Sequence, residues 1–205
     1  MAIVIVGLGN PGKEYEKTRH NSGRDVVALL AKKESFGDFV LNKKSNALVA
    51  EGLPAGRQGR IGKEKVTLVL PETMMNNSGK AVSAFVKSVK AAKQLLVIHD
   101  DLDVPVGTIK MVFARGSGGH KGVENVMRVL KTDAFARIRI GISGAGKKNQ
   151  AKKVVGEEKV LKHVIGKWKP SEEALAKKAI KKAAEAAGLF ATEGIEAATQ
   201  FANTR

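Results

Sequence analysis

Ala2-Ile3-Val4-Ile5-Val6-Gly7-Leu8-Gly9-Asn10-Pro11-Gly12, continued by KEYEKTRHNSG over residues 13–23, decides how the rest of the chain is read. A short apolar run rich in β-branched residues and closed by glycine has the length and composition of a strand buried on both faces. Gly7, Gly9 and Gly12 match the spacing of a dinucleotide-binding loop. However, Pro11 disfavours helical backbone at Asn10, and residues 13–23 carry no helical apolar face. The next clear helical pattern, DVVALLAKK at 25–33, begins only after Gly23. The segment after the strand is therefore a polar loop at its carboxyl end, where α/β sheets place their sites. It offers Asn10, Tyr15, Arg19, His20 and Asn21. His20 has no hydrophobic neighbours to bury it there, which makes it a candidate general base.

Working outward, strand patterns recur at residues 47–51, 65–70 (KVTLVL), 94–99 (QLLVIH), 108–114 and 136–142. Helical patterns fall between them at 77–89 and 122–131, and an Ala/Lys/Glu-rich helix runs from Ser171 onward. This alternation predicts an α/β fold with helices on both faces of a sheet. Residues 53–63 (LPAGRQGRIGK) read as a surface loop inserted between two strands. Residues 143–155, rich in Gly and Lys, read either as a linker or as a phosphate-contacting loop.

At 205 residues with 43% hydrophobic content, one domain spanning residues 1–205 is expected. The chain has no Cys, which excludes disulfides, Cys-ligated zinc and a Cys nucleophile, and suits a reducing cytoplasm. No segment approaches the length needed to span a bilayer, so no membrane role is expected. The net charge of +16 points to a polyanionic partner. Twelve Lys against four Glu between Lys147 and Lys182 supply half of that excess. Aromatic residues make up only 4%, which disfavours a base-stacking platform, so phosphates and shape should carry any nucleic-acid binding.

Two further segments carry chemistry. His99-Asp100-Asp101-Leu102-Asp103 ends a strand; its three carboxylates suggest a divalent-metal site, and alternatively one Asp orienting an imidazole. Arg115-Gly116-Ser117-Gly118-Gly119-His120-Lys121-Gly122 lacks the Walker order but offers backbone N–H groups and two cations to an anion. Its alternative is a tight glycine turn. Gly141-Ile142-Ser143-Gly144-Ala145 misses the nucleophile-elbow pattern at its last position, so a serine esterase is not supported.

Taken in order, the GLGNPG run with Tyr15 and Thr18-Arg19-His20-Asn21, then Thr73-Met74-Met75-Asn76-Asn77-Ser78-Gly79, His99-Asp100-Asp101-Leu102-Asp103, Gly118-Gly119-His120, Arg137-Ile138-Arg139-Ile140-Gly141-Ile142 and Val164-Ile165-Gly166-Lys167-Trp168 resemble the bacterial peptidyl-tRNA hydrolase family. The resemblance covers nearly the whole chain. It implies a monomeric, single-domain α/β fold with a mixed twisted sheet flanked by helices and a C-terminal helix over the cleft. It implies hydrolysis of the ester joining a peptide to the 3′ ribose of tRNA, without metal or cofactor. Carried onto this chain, His20 would be the general base and Asp100 would stabilise its imidazole. Asn10 and Asn76 would hold substrate. Tyr15 and Met74 would line the site for the tRNA end, with Arg139 and Lys121 also on the substrate or tRNA side.

Lys121 departs from the family, which most often has Asn there. Its ammonium would either disfavour imidazolium at His20 or grip a phosphate. Two other readings compete. A non-catalytic RNA-binding protein on the same scaffold would bind without turnover, and would require none of Asn10, His20, Asn76 and Asp100. A nucleotide-dependent enzyme would rest on the glycine run alone.

Overall fold

The computed structural model describes residues 2–52, 65–144 and 150–204. The expected loop at 53–63 lies outside them, as does part of 143–155. The elements run β1 (Ile3–Gly7), α1 (Ser22–Lys33), β2 (Val40–Asn42), β3 (Ala47–Gly52), β4 (Val66–Pro71), α2 (Ser78–Val82), α3 (Val89–Ala92), β5 (Leu95–Pro105), β6 (Ile109–Phe113), α4 (Lys121–Leu130), β7 (Ala136–Ser143), α5 (Glu157–Val164), α6 (Pro170–Glu193) and α7 (Ile195–Asn203). The strands form one seven-stranded sheet in the order β2-β3-β4-β1-β5-β7-β6. β1 pairs in parallel with both β4 and β5, and β5 with β7. The outer pairs β2/β3, β3/β4 and β6/β7 are antiparallel, so the sheet is mixed. Among the described residues no helix is long and apolar enough to cross a membrane.

Alternation along the central strands divides the core in two. Ile3, Ile5, Leu96, Ile98, Ile138 and Ile140 pack on one face with Val26, Val27 and Leu30 of α1 and the alanines of α6. Val4, Val6, Leu95 and Val97 pack on the other with Val82 of α2 and Val123 and Val126 of α4. Gly7, the first glycine of the run that resembles a nucleotide loop, serves this packing together with Gly23. A Cβ on Gly23 would stand 2.3 Å from the Ile98 carbonyl oxygen, and one on Gly7 would stand 2.4 Å from that of Gly23. Helix α1 can therefore start directly on the carboxyl end of β1, against Ile98 of β5. This is the switch point of the sheet, because the chain leaves β1 for β4 on one side and returns to β5 on the other.

Several expected elements are redrawn. The helix predicted over 77–89 is broken into α2 and α3, because Ser88 takes extended backbone and its hydroxyl accepts the Ala91 N–H, starting a new helix. Strand β5 continues six residues past His99, so the HDDLD motif lies within the strand rather than after it. Strand β2 and helix α5 carried no readable pattern: β2 is wholly exposed, and α5 buries only Val164. The tail is two helices, broken at Gly194 with φ 90°. The helical wall of the cleft is α5 (Glu157, Val160, Leu161, Val164), while α6 and α7 lie along α1 and the β6–β7 edge. Helix α6 thus lies over the sheet, and Glu172 in its first turn reaches Arg19 beside His20. The reason is its alanine-rich face, which packs closely against α1.

Candidate active site

Three elements bring the candidate residues together at the switch point. The turn Arg19–Asn21 between β1 and α1 carries His20, β5 carries Asp100, and the N-cap of α4 is His120. His20 Nδ1 lies 2.8 Å and His120 Nε2 3.0 Å from the same oxygen, Asp100 Oδ1. An ionised carboxylate only accepts, so both ring nitrogens carry protons. His120 Nδ1 accepts the Val123 N–H at 3.2 Å, which starts α4 and fixes its tautomer. His99, one residue before Asp100, sits edge-on to His120 with ring centroids 4.7 Å apart. It donates from Nδ1 to the Asp100 carbonyl oxygen at 2.8 Å, and its buried Nε2 has no partner among the described residues.

The charges reflect these contacts. Burial alone would raise the Asp100 pKa, but His20 and His120 hold it well below the usual carboxylate range. Burial lowers that of His20, while the charge and hydrogen bond of Asp100 raise it by more, leaving the ring more basic than an ordinary histidine. Burial and the adjacent His120 push His99 down to about 3, so it stays neutral.

The cleft beside these groups holds about 220 Å³ and is lined by His20, Asp100, Asp101, Leu102, Gly118, Gly119, His120, Lys121, Glu157, Val160, Leu161 and Val164. His20 thus faces an opening with one polar wall and one apolar wall. His20, Asp100 and His120 are the one set among the described residues whose donor atoms, all within 4.8 Å, lie close enough to share a cation. Those same atoms are engaged in the hydrogen bonds just described.

The three-carboxylate metal reading of residues 100–103 does not hold. Neighbouring residues on a strand face opposite ways, and Asp101 turns to Arg139, whose Nε donates to it at 2.6 Å. Asp103 is exposed, and its N–H caps Asp101 Oδ1. Beside this pair a polar cavity of about 300 Å³ is lined by Arg115, Ser117, Arg137 and Arg139 among others. Arg137 is buried and donates to the carbonyl oxygens of Arg115 and Gly116, which holds the glycine turn in place. Gly118 and Gly119 sit at φ 63° and 78°, the left-handed region that favours glycine.

Lys121 is at the mouth of the cleft, but its side chain is 73% exposed and 3.7 Å from Glu124. The groups that act on His20 are burial and Asp100, and the ring is made more basic. The expectation that Lys121 would disfavour imidazolium is therefore overturned, because its ammonium is solvated.

Asn10, Tyr15, Met74 and Asn76 do not line this cleft. Asn10 is nevertheless tied to it. Its N–H donates to Asn21 Oδ1 at 2.8 Å, Asn21 Nδ2 donates back to its carbonyl oxygen, and its own Oδ1 accepts the Met75 N–H at 2.8 Å. Met75 packs beneath the start of α4, where a Cβ on Gly122 would meet its sulfur at 2.4 Å. Met74 is 46% exposed, Asn76 is exposed and Tyr15 half-buried on adjoining surface. The role of His120 and the α5 wall were not legible in the sequence. The former had as hints the Gly118-Gly119-His120 motif and its place just before a helical pattern, neither of which pointed to Asp100. A larger cavity of about 510 Å³ between α1 and α6 shares no residue with the site.

Residues 4–205 match the family model for peptidyl-tRNA hydrolase. The chain is 41% identical over 182 residues to peptidyl-tRNA hydrolase of Aquifex aeolicus, covering 88% of this chain and 85% of that one. It is 39% identical over 188 residues to that of Halalkalibacterium halodurans, covering 91% and 92%. A crystal structure of peptidyl-tRNA hydrolase with N-propanol superposes with a TM-score of 0.83 at 33% identity, over 99% of this chain and 95% of the other. That of the Acinetobacter baumannii protein gives 0.82 at 33% identity over the same shares.

Proposed function

The chain belongs to the peptidyl-tRNA hydrolase family, and from that premise we propose that it cleaves the ester between peptide and tRNA with His20 as the general base. The observation that carries this is the 2.8 Å bond from His20 Nδ1 to Asp100 Oδ1 at the wall of an open cleft. With Nδ1 committed as donor, Nε2 is the basic nitrogen, and it takes a proton from water as that water attacks the ester carbonyl. The imidazolium formed is stabilised by Asp100. It returns the proton to the departing 3′-ribose oxygen, releasing tRNA and a peptide carboxylate.

Asn10 supports the tetrahedral stage. Because its Oδ1 is fixed by the Met75 N–H, its amide NH₂ is the end left to donate to substrate or oxyanion. Asn76, Met74 and Tyr15 would extend that contact along the acyl group and the tRNA end. Arg139 and Lys121 would meet phosphates. An ester leaving group lets positioned water and a base near neutrality suffice without metal or cofactor. We take the enzyme to act as a monomer in the cytoplasm, where its tRNA substrate is found.

The test is release of label from N-acetylaminoacyl-tRNA with chelator present, beside unblocked aminoacyl-tRNA and a His20→Ala control. Cleavage of the blocked substrate alone, lost in the variant, is the expected result. Tight tRNA binding without cleavage by the wild type would overturn the reading in favour of an RNA-binding role.

A further inference from the structure

We propose that Arg19, together with Glu172, is a positioning pair that locks the α5 wall of the cleft to the turn carrying His20; this rests on the catalytic reading of His20. Arg19 is buried and absent from the lining of the cleft, so it acts through its neighbours. The attachments of its N–H and its guanidinium lead to one place, the junction between α5 and α6. Its backbone N–H donates to the Gly166 carbonyl oxygen at 3.0 Å. Nη1 donates to the His163 carbonyl oxygen at 3.3 Å, and Nη2 to Glu172 Oε2 at 2.6 Å. The guanidinium lies 5.3 Å from the ring centroid of Trp168, and Thr18 forms a β-bridge with Lys167.

The preceding residue, the backbone and the side chain of Arg19 thus hold both sides of the turn after α5, one residue away from His20. On its other side, α5 presents Val160, Leu161 and Val164 to the cleft. A further hydrogen bond ties it to the sheet, His163 Nε2 to the Ile142 carbonyl oxygen at 2.9 Å. Glu172 Oε2 also accepts the Lys169 N–H at 3.1 Å, so one carboxylate oxygen starts α6 and receives the guanidinium. A side chain has little room at Gly166, where a Cβ would stand 3.0 Å from Arg19 Nη1.

This arrangement is better suited to geometry than to stability. Arg19 Nε is buried without a partner among the described residues, and a buried ion pair with an unsatisfied donor gains little over an apolar replacement. A planar fork reaching two acceptors does fix a direction that a flexible ammonium cannot. The wall and the base must stand in register for the acyl carbon to meet the water held by His20, and a displacement near 1 Å costs up to about a hundredfold in rate.

The experiment compares wild type, Arg19→Lys, Glu172→Gln and Gly166→Ala on N-acetylaminoacyl-tRNA, well below each variant's Tm, with hydrogen exchange followed in residues 157–164. Arg19→Lys keeps the charge but loses the fork, and Glu172→Gln keeps an acceptor for the α6 cap but loses the charge. The expected result is a kcat lowered about 10- to 100-fold in Arg19→Lys, with KM unchanged within about twofold. Losses in the other two should run in the same direction, with faster exchange in α5 and unaltered exchange in α4. Variants with wild-type kcat and a lowered Tm alone would overturn the proposal. Equal loss of kcat and of tRNA affinity with faster exchange throughout would overturn it too, by showing general loosening. A wild type that fails to cleave would instead overturn the catalytic reading on which it rests.

Discussion

Asp100 and Asp101 are consecutive on β5, both buried, and yet they hold different kinds of partner. Asp100 gathers two imidazoles on one oxygen, whereas Asp101 holds one guanidinium that borders a cavity lined with arginines. The strand's twofold alternation makes the difference, since one residue of sequence separation is a change of face. A carboxylate among histidines sets the protonation of a base. A carboxylate against arginine fixes the direction of a cation. On the proposed function, chemistry and substrate capture would then lie side by side, and mutations would separate them.

The largest effect is expected at the far end of the Asp100 arm. His20→Ala should lower kcat by about 10²–10⁴ while leaving tRNA binding, measured by filter retention, near wild type. Retained turnover would remove His20 from the chemistry. Next is Asp100→Asn, expected to cost about 10²-fold or more in kcat and to alter the pH profile. The sign is set by the ring: Asp100 raises the His20 pKa above 6.5, and imidazolium cannot accept a proton. The wild-type rate should therefore climb with pH through that raised value. Without Asp100, burial acts unopposed, and the acid limb should move to lower pH. A limb that stays in place would show that another group governs it.

Asp101→Asn should sharpen the contrast, raising KM roughly three- to tenfold by freeing Arg139, with kcat changed far less. A loss of kcat equal to that of Asp100→Asn would break the comparison. Smallest is Lys121→Ala. Its exposed ammonium, 3.7 Å from Glu124, makes a surface ion pair worth at most about 1 kcal/mol, so kcat should hold and KM should move within about threefold. A hundredfold fall in kcat would place Lys121 in the chemistry after all.

Much of this was readable beforehand because it depends on short-range pattern. The apolar run at residues 2–6 is β1, and the strands near 66, 95, 109 and 136 fall close to their predicted places. Pro11 argued against a nucleotide loop at the glycine run, and Gly7 and Gly23 prove to be contact points of α1 with the sheet. His20 was singled out from its loop position and Asp100, among three strand-end carboxylates, through the family resemblance, and the structure joins them at 2.8 Å. Helix α5 escaped because only Val164 of its eight residues is buried, leaving little apolar face to read. The break between α2 and α3 escaped because Ser88, as a cap, outweighs the apolar spacing that suggested continuity.

By itself the sequence determined the α/β alternation, the basic character of the chain, and which side chains could do chemistry, because each depends on residue type and local spacing. Only the tertiary structure decided that His120 shares the Asp100 oxygen with His20, that Asp101 belongs to Arg139, and that Arg19 reaches Glu172, 153 residues later. Those pairings depend on which way a strand residue faces and on where a distant helix comes to rest, and both are fixed only when the sheet closes its order and the helices bury their faces on it.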